Sequence, residues 1–352
     1  MSPCEPLPNI PSISSTQPSP QLHPVNRHPT FSFSDGNLAL LAQNFYFLVH
    51  QGLVCRHSPV LRAAVDAIQS TSALYLEDRP VIQLQDSSED ILCFLLALYD
   101  GISEIQFTAD SFVAVSALIR LATKYQVYRL RKELLRGLSL VWPSSLASWD
   151  AREGAMMRPD NVYEPRAFAP HPILIINLAR SVDAHELLPA AFYDLSRCSI
   201  SHIAAGYAAS ERQDCHQLSE EDLFNLLKGR EDASRFFSTF LVNQLEGRQP
   251  SPDCIYLRIG NHSQRRSCQV AFENIFCSIL RASNSLASYR SCDPLFSIIE
   301  ADTICDGHDG AQGLMRPCEV CRSHFQLEVE AARDELWYSL PVFFNVHVSS
   351  WG

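Results

Sequence analysis

Proline sets the first limit on what this chain can fold into. Pro3, Pro6, Pro8, Pro11, Pro18, Pro20, Pro24 and Pro29 crowd the start, and Pro143, Pro159, Pro165, Pro170 and Pro172 recur in a second stretch. Each proline fixes φ and removes an amide donor, so neither stretch sustains a long helix or a central strand. The first, also rich in serine, cannot bury enough apolar surface to offset its ordering entropy, which predicts a disordered leader over residues 1–30. The second predicts a linker over 141–171. The prolines thus separate two segments with ordinary apolar patterning, 31–140 and 172–352, and neither carries an internal repeat.

Composition narrows the function classes. The chain has 352 residues, with 28 Lys plus Arg against 39 Asp plus Glu, a formal net charge of −11. It lacks the basic footprint of a nucleic-acid binder, so no direct nucleic-acid contact is expected. The longest unbroken apolar run is Ile91 to Tyr99, far short of the roughly 20 residues that a spanning helix needs. The leader has no apolar core run, so it does not read as a secretory signal. The expected location is the cytoplasm or nucleus, where the 12 cysteines are reduced thiols or metal ligands.

The first patterned segment reads as a small mixed unit. Asn37–Ala42 and Phe45–His50 are apolar runs separated by Gln43-Asn44, which predicts a hairpin. Ser58-Pro59 opens a helix through Leu61, Val65 and Ile68, and Pro80–Leu84 is a short strand. Asp86-Ser87-Ser88-Glu89 starts an almost wholly apolar helix, which Asp100-Gly101 ends. Phe112, Val115, Leu118, Ile119 and Ala122 have helical spacing, and Leu130, Leu134 and Leu138 share the face of another helix. The second segment reads as helices over 173–184, 189–197, 220–228, 233–245, 268–286 and 319–340, with one possible strand at 254–259 and an irregular region at 302–313. In the 220–245 region, Ser219 is the expected cap and Gly229 the expected stop. The fold class is therefore α+β.

The order strand, strand, helix, strand, helix, helix over residues 31–140 resembles the BTB/POZ domain. Phe33-Ser34-Asp35 with Asn37–Leu41 is similar to that family's opening strand. Phe45 to Ser58, with His50 and Leu53-Val54, is similar to its strand–His–helix signature. Leu84 to Gly101, ending Leu98-Tyr99-Asp100-Gly101, and Leu121-Ala122-Thr123-Lys124-Tyr125 with Leu130 resemble its later helices. The signature positions are then Asp35, His50, Ser58, Tyr99, Gly101, Lys124 and Tyr125. Trp142-Pro143-Ser144-Ser145-Leu146, Cys318-Glu319-Val320-Cys321 and Trp337-Tyr338-Ser339-Leu340-Pro341 resemble segments of BTB-domain proteins of mushroom-forming fungi. Two departures stand out: Leu61 where the family often has Phe, and Gly36 after Asp35 where better-studied members have an apolar residue. The resemblance implies a protein-interaction protein that dimerises or docks partners through 31–140, with a mostly helical domain over 172–352.

Two constellations carry candidate chemistry. Tyr75-Leu76-Glu77 resembles the hydrophobic-x-Glu motif of cullin-binding members, which implies a ubiquitin-ligase adaptor with Tyr75 as anchor and Glu77 as rim carboxylate. The alternative is an ordinary loop. Cys318-x-x-Cys321 has the spacing of a zinc grip, with Cys305 or His324 to complete a tetrahedron and His308 or Cys292 in reserve. The alternative there is a pair of buried thiols, with no cofactor at all. His50 and Asp35 read as structural. No nucleophile elbow, phosphate loop or His-Glu-x-x-His is present, so no catalytic residue is assigned and no enzyme is expected.

Overall fold

The computed structural model describes residues 25–69, 74–157, 163, 169–208, 215–258, 266–283, 292–306 and 316–352. The chain divides into two compact units, residues 1–100 and 101–352. The division falls at Asp100, inside the span that the BTB/POZ resemblance covers.

The first unit is built on a five-stranded sheet of order β1-β3-β2-β5-β4. Its strands are β1 (Asn26–Arg27), β2 (Leu38–Ala42), β3 (Phe45–Val49), β4 (Tyr75–Leu76) and β5 (Arg79–Leu84). β2 and β3 form the expected antiparallel hairpin, with Leu40 opposite Phe47. β2 then pairs with β5 in parallel. A parallel neighbour requires a crossover, and two helices lie in it: α1 (Gln51–His57) and α2 (Pro59–Gln69). Every residue of β2 is buried, as expected of a central strand covered on both faces. Ala39, Leu41, Tyr46, Leu48 and Val81 form one apolar cluster, with Val25 and Leu76 packed against it. By strand alternation Leu38, Leu40, Phe47 and Ile82 point the other way. α3 (Ser88–Tyr99) starts on Ser87, whose hydroxyl accepts the amide of Asp90.

Order begins before residue 31. Residues 1–24 of the expected leader lie outside the described residues, but Asn26 and Arg27 pair in parallel with Phe45 and Tyr46, and the His28 ring stacks on Phe47. A proline-rich stretch ends where side chains appear that can add an edge strand.

The second unit is helical among the described residues. It contains α4 (Phe112–Lys124), α5 (Tyr128–Ser139), α6 (Leu146–Ala155), α7 (Pro172–Ser181), α8 (Leu188–Ser196), α9 (Ile200–Ala205), α10 (Glu220–Gln244), α11 (Ile255–Arg258), α12 (Ser267–Ser283), α13 (Pro294–Asp306) and α14 (Glu319–Phe343). Long helices α10 and α14 pack along one another, and α13 packs on α14.

Four expectations about this unit need correction. The segment 141–171 is not merely a linker: it holds α6, and Trp142, Trp149 and Arg152 are buried. The prolines flank this helix instead of interrupting it. Trp149 lies under the guanidinium groups of Arg152 and Arg197, 4.5 and 4.9 Å from the ring. Those cations pair with Asp194 at 2.8 and 2.6 Å, and Arg197 also reaches Glu153 and Asp293. Second, 220–228 and 233–245 are one helix. Ser219 caps it as expected, but Gly229 does not stop it. A Cβ there would stand 2.1 Å from the Phe344 ring, so this glycine serves close helix packing. Third, residues 255–258 form one helical turn and not a strand. Fourth, residues 302–306 continue α13, and 307–315 lie outside the described residues.

Candidate metal centre

Four cysteines converge in the second unit. Cys254, Cys268, Cys318 and Cys321 are all buried, and their sulfurs lie within 4.8 Å of one another. Each comes from a helix start. Cys254 sits in a turn closed by its own amide on the Ser251 carbonyl (2.9 Å) and leads into α11. Cys268 lies in the first turn of α12, Cys318 is the N-cap of α14, and Cys321 lies in the first turn of that helix. Amides near a helix start lack carbonyl partners within the helix, and here some point at sulfur. The Cys318 amide donates to Cys268 Sγ at 3.2 Å, and the Ser251 amide donates to Cys321 Sγ at 3.3 Å.

The sulfur spacing fits a tetrahedral thiolate site. Cys254 Sγ lies 3.6 Å from Cys268 Sγ and 3.7 Å from Cys318 Sγ. A zinc–sulfur bond of ~2.3 Å in a tetrahedron places the sulfurs ~3.8 Å apart. These cysteines are free thiols, and their protonation is uneven. Burial pushes the Cys321 thiol up to about 12 and that of Cys268 well above the ordinary thiol range. Burial also acts to raise Cys318, but hydrogen bonds from the backbone at Cys321 and Ile255, and from the Cys321 and Cys254 thiols, outweigh it and hold Cys318 at about 7. Cys318 is thus set apart from Cys268 and Cys321, which burial drives the other way. A soft divalent cation that displaces protons relieves that arrangement. The centre can hold a metal such as zinc.

The Cys-x-x-Cys pair was legible in the sequence and its partners were not. Cys305 is buried at the end of α13 but is not one of the four. His324 is not a member either: its Nδ1 bonds the Ser251 hydroxyl at 3.1 Å, one residue position that also serves Cys321. Cys292 is exposed and accepts from Arg230 at 3.2 Å, and His308 lies outside the described residues. Cys254 and Cys268 were missed because no short spacing joins them to Cys318. A signal was available in the local density of cysteines after residue 250.

In the first unit, Asp35, His50 and Tyr99 meet. His50 Nε2 lies 3.2 Å from Asp35 Oδ1, and the Tyr99 hydroxyl accepts the His50 amide at 3.0 Å and bonds its Nδ1. Ser58 accepts the Leu61 amide at 3.0 Å and so caps α2. Tyr75 is 62 % exposed on edge strand β4. Glu77 and Asp78 have φ of 46° and 61° and form the turn from β4 to β5. The Glu77 carboxylate is engaged: it accepts the Tyr46 hydroxyl at 2.5 Å and faces Arg27 at 3.6 Å. That hydrogen bond, more than burial, raises the Tyr46 hydroxyl above its ordinary range. Gly101 has φ of +86°, which suits the end of α3. In the second unit, Tyr125 is buried and Lys124 lies 5.3 Å from the Tyr125 ring centre.

No helix among the described residues is long and apolar enough to cross a membrane. Compared with family models and with curated proteins, the chain matches none of either.

Proposed function

We propose that this chain is a protein-interaction protein, with a BTB-like docking module in its first unit and a zinc-stabilised helical domain in its second. The docking reading is carried by one observation: β4, an edge strand of the sheet, presents Tyr75 at 62 % exposure, and Leu74 just before it is 55 % exposed. A sheet edge that carries two large exposed apolar side chains is a ready surface for a second chain. The BTB-like identity is supported by the hairpin, the helical crossover and the parallel β2–β5 pair, which follow the order that the family resemblance leads one to expect. The module either forms a homodimer or takes another protein partner. Light scattering on the full chain tests this. A dimer that reverts to monomer in Tyr75→Ser supports self-association through β4, while a monomer at all concentrations directs the search to other partners.

Adaptor function for a cullin-type ubiquitin ligase is the second reading, favoured by the exposed Tyr75. It requires Glu77 to exchange its Tyr46 and Arg27 contacts for a partner's donors.

Zinc is the metal proposed for the four-cysteine centre. Four thiolates suit zinc and leave no open coordination position, which is the character of a structural site. The centre would then support the helical domain and carry no reaction. Nothing in the residue pattern calls for catalysis.

A further inference from the structure

A zinc ion on four thiolates carries a net charge of two minus, and burying that charge is costly unless something opposes it. Backbone amides on sulfur spread part of it. The structure also places a guanidinium nearby. Arg248 lies just before the Ser251–Cys254 turn, with its guanidinium carbon 5.1 Å from the Phe272 ring centre and 5.2 Å from that of Phe325. Both rings are fully buried. Phe272 is four residues after Cys268 on α12, and Phe325 is four residues after Cys321 on α14. Residues at that separation share a helix face, one turn apart. The two rings that clasp Arg248 therefore each stand one turn beyond a sulfur ligand, on the ligand's own face. The Arg248 Nη1 donates to the Gln244 carbonyl and side chain at 3.1 Å, which fixes the head group.

We infer that Arg248 is the counter-cation of the metal centre, a positioning residue that stabilises the zinc tetrathiolate without touching the metal. This inference rests on the zinc reading above. Burial lowers the pKa of Arg248, while Glu328, Cys321 and Cys305 act in the opposite direction, as negative charge beside a guanidinium does. Four zinc-bound thiolates would give this cation a negative partner.

The test is competition for zinc between the full chain and the chromogenic chelator 4-(2-pyridylazo)resorcinol, with wild type, Arg248→Lys and Arg248→Met compared at equal helical content. Outer partners of metal ligands commonly alter affinity by about 10- to 100-fold. Arg248→Met is expected to bind zinc at least tenfold more weakly than wild type. Arg248→Lys, which keeps the charge, is expected to stay within about threefold. Equal affinity in wild type and Arg248→Met overturns the inference, and so does an equal loss in both variants, because charge would then not be the agent. Failure of wild type to take up zinc removes the underlying reading, and that result is visible without either variant.

Discussion

The Cys318 amide donates to Cys268 Sγ at 3.2 Å, across fifty residues of sequence. The N-terminus of α14 and the first turn of α12 are thus joined through a ligand sulfur. If this junction is completed by zinc, chelation should loosen both helix starts at once. Treatment with a strong chelator is expected to lower Tm and to raise amide exchange at 318–322 and 267–271 together. Exchange that rises at only one of these segments would contradict a shared centre.

Gly229 lies against Phe344 with no room for a Cβ, which would stand 2.1 Å from the ring. Alanine favours a helix over glycine by about 1 kcal/mol, but overpacking a fitted core costs about 1–3 kcal/mol. Gly229→Ala is therefore expected to destabilise the chain by up to about 2 kcal/mol in denaturant titration. A stabilised variant would mean that Phe344 moves aside freely.

Asp194 is fully buried between Arg152 and Arg197. Asp194→Ala leaves two guanidinium groups short of a partner, and breaking a buried pair from one side costs about 3–5 kcal/mol. The expected outcome is a large loss of stability by chemical denaturation, well beyond that of Glu231→Ala, which removes an exposed ion pair between Glu231 and Arg235 on α10. Equal effects would show that the network is already wet.

Tyr46 gives an alkaline signature. Its hydroxyl, raised above the usual 10.0 chiefly by the bond to Glu77, holds a proton that the unfolded chain releases sooner. Its contribution is complete below the unfolded value of 10.0 and declines as pH rises through the folded one. Tyr46→Phe should flatten the loss of stability above that pH, as read by urea midpoints. An unchanged alkaline limb would remove Tyr46 as its source.

The cullin reading separates two residues. Tyr75→Ala is expected to abolish binding of a cullin N-terminal domain in calorimetry if the motif is used. Glu77→Gln, which keeps an acceptor for Tyr46 at the positive φ of this turn, should weaken it by less. Binding that ignores Tyr75 would contradict the adaptor reading.

Local chemistry was the legible part of this chain. The β2–β3 hairpin, the Ser87 and Ser219 caps and the Gly101 stop each depend on a few adjacent residues, and the structure has each of them. What escaped depends on distant contacts. Gly229 reads as a stop until Phe344 is placed on it, and 141–171 reads as a linker until Trp149 is seated under two arginines. Cys318 and Cys321 announce themselves by spacing. Cys254 and Cys268 have no such rule, because three helix starts bring them in.

The most direct measurement is metal stoichiometry, by plasma mass spectrometry, of the full chain purified without added metal, beside Cys268→Ser and Cys305→Ala. The account predicts about one zinc per wild-type chain, its loss in Cys268→Ser and its retention in Cys305→Ala. Wild type without zinc, or zinc that follows Cys305 and not Cys268, would contradict it.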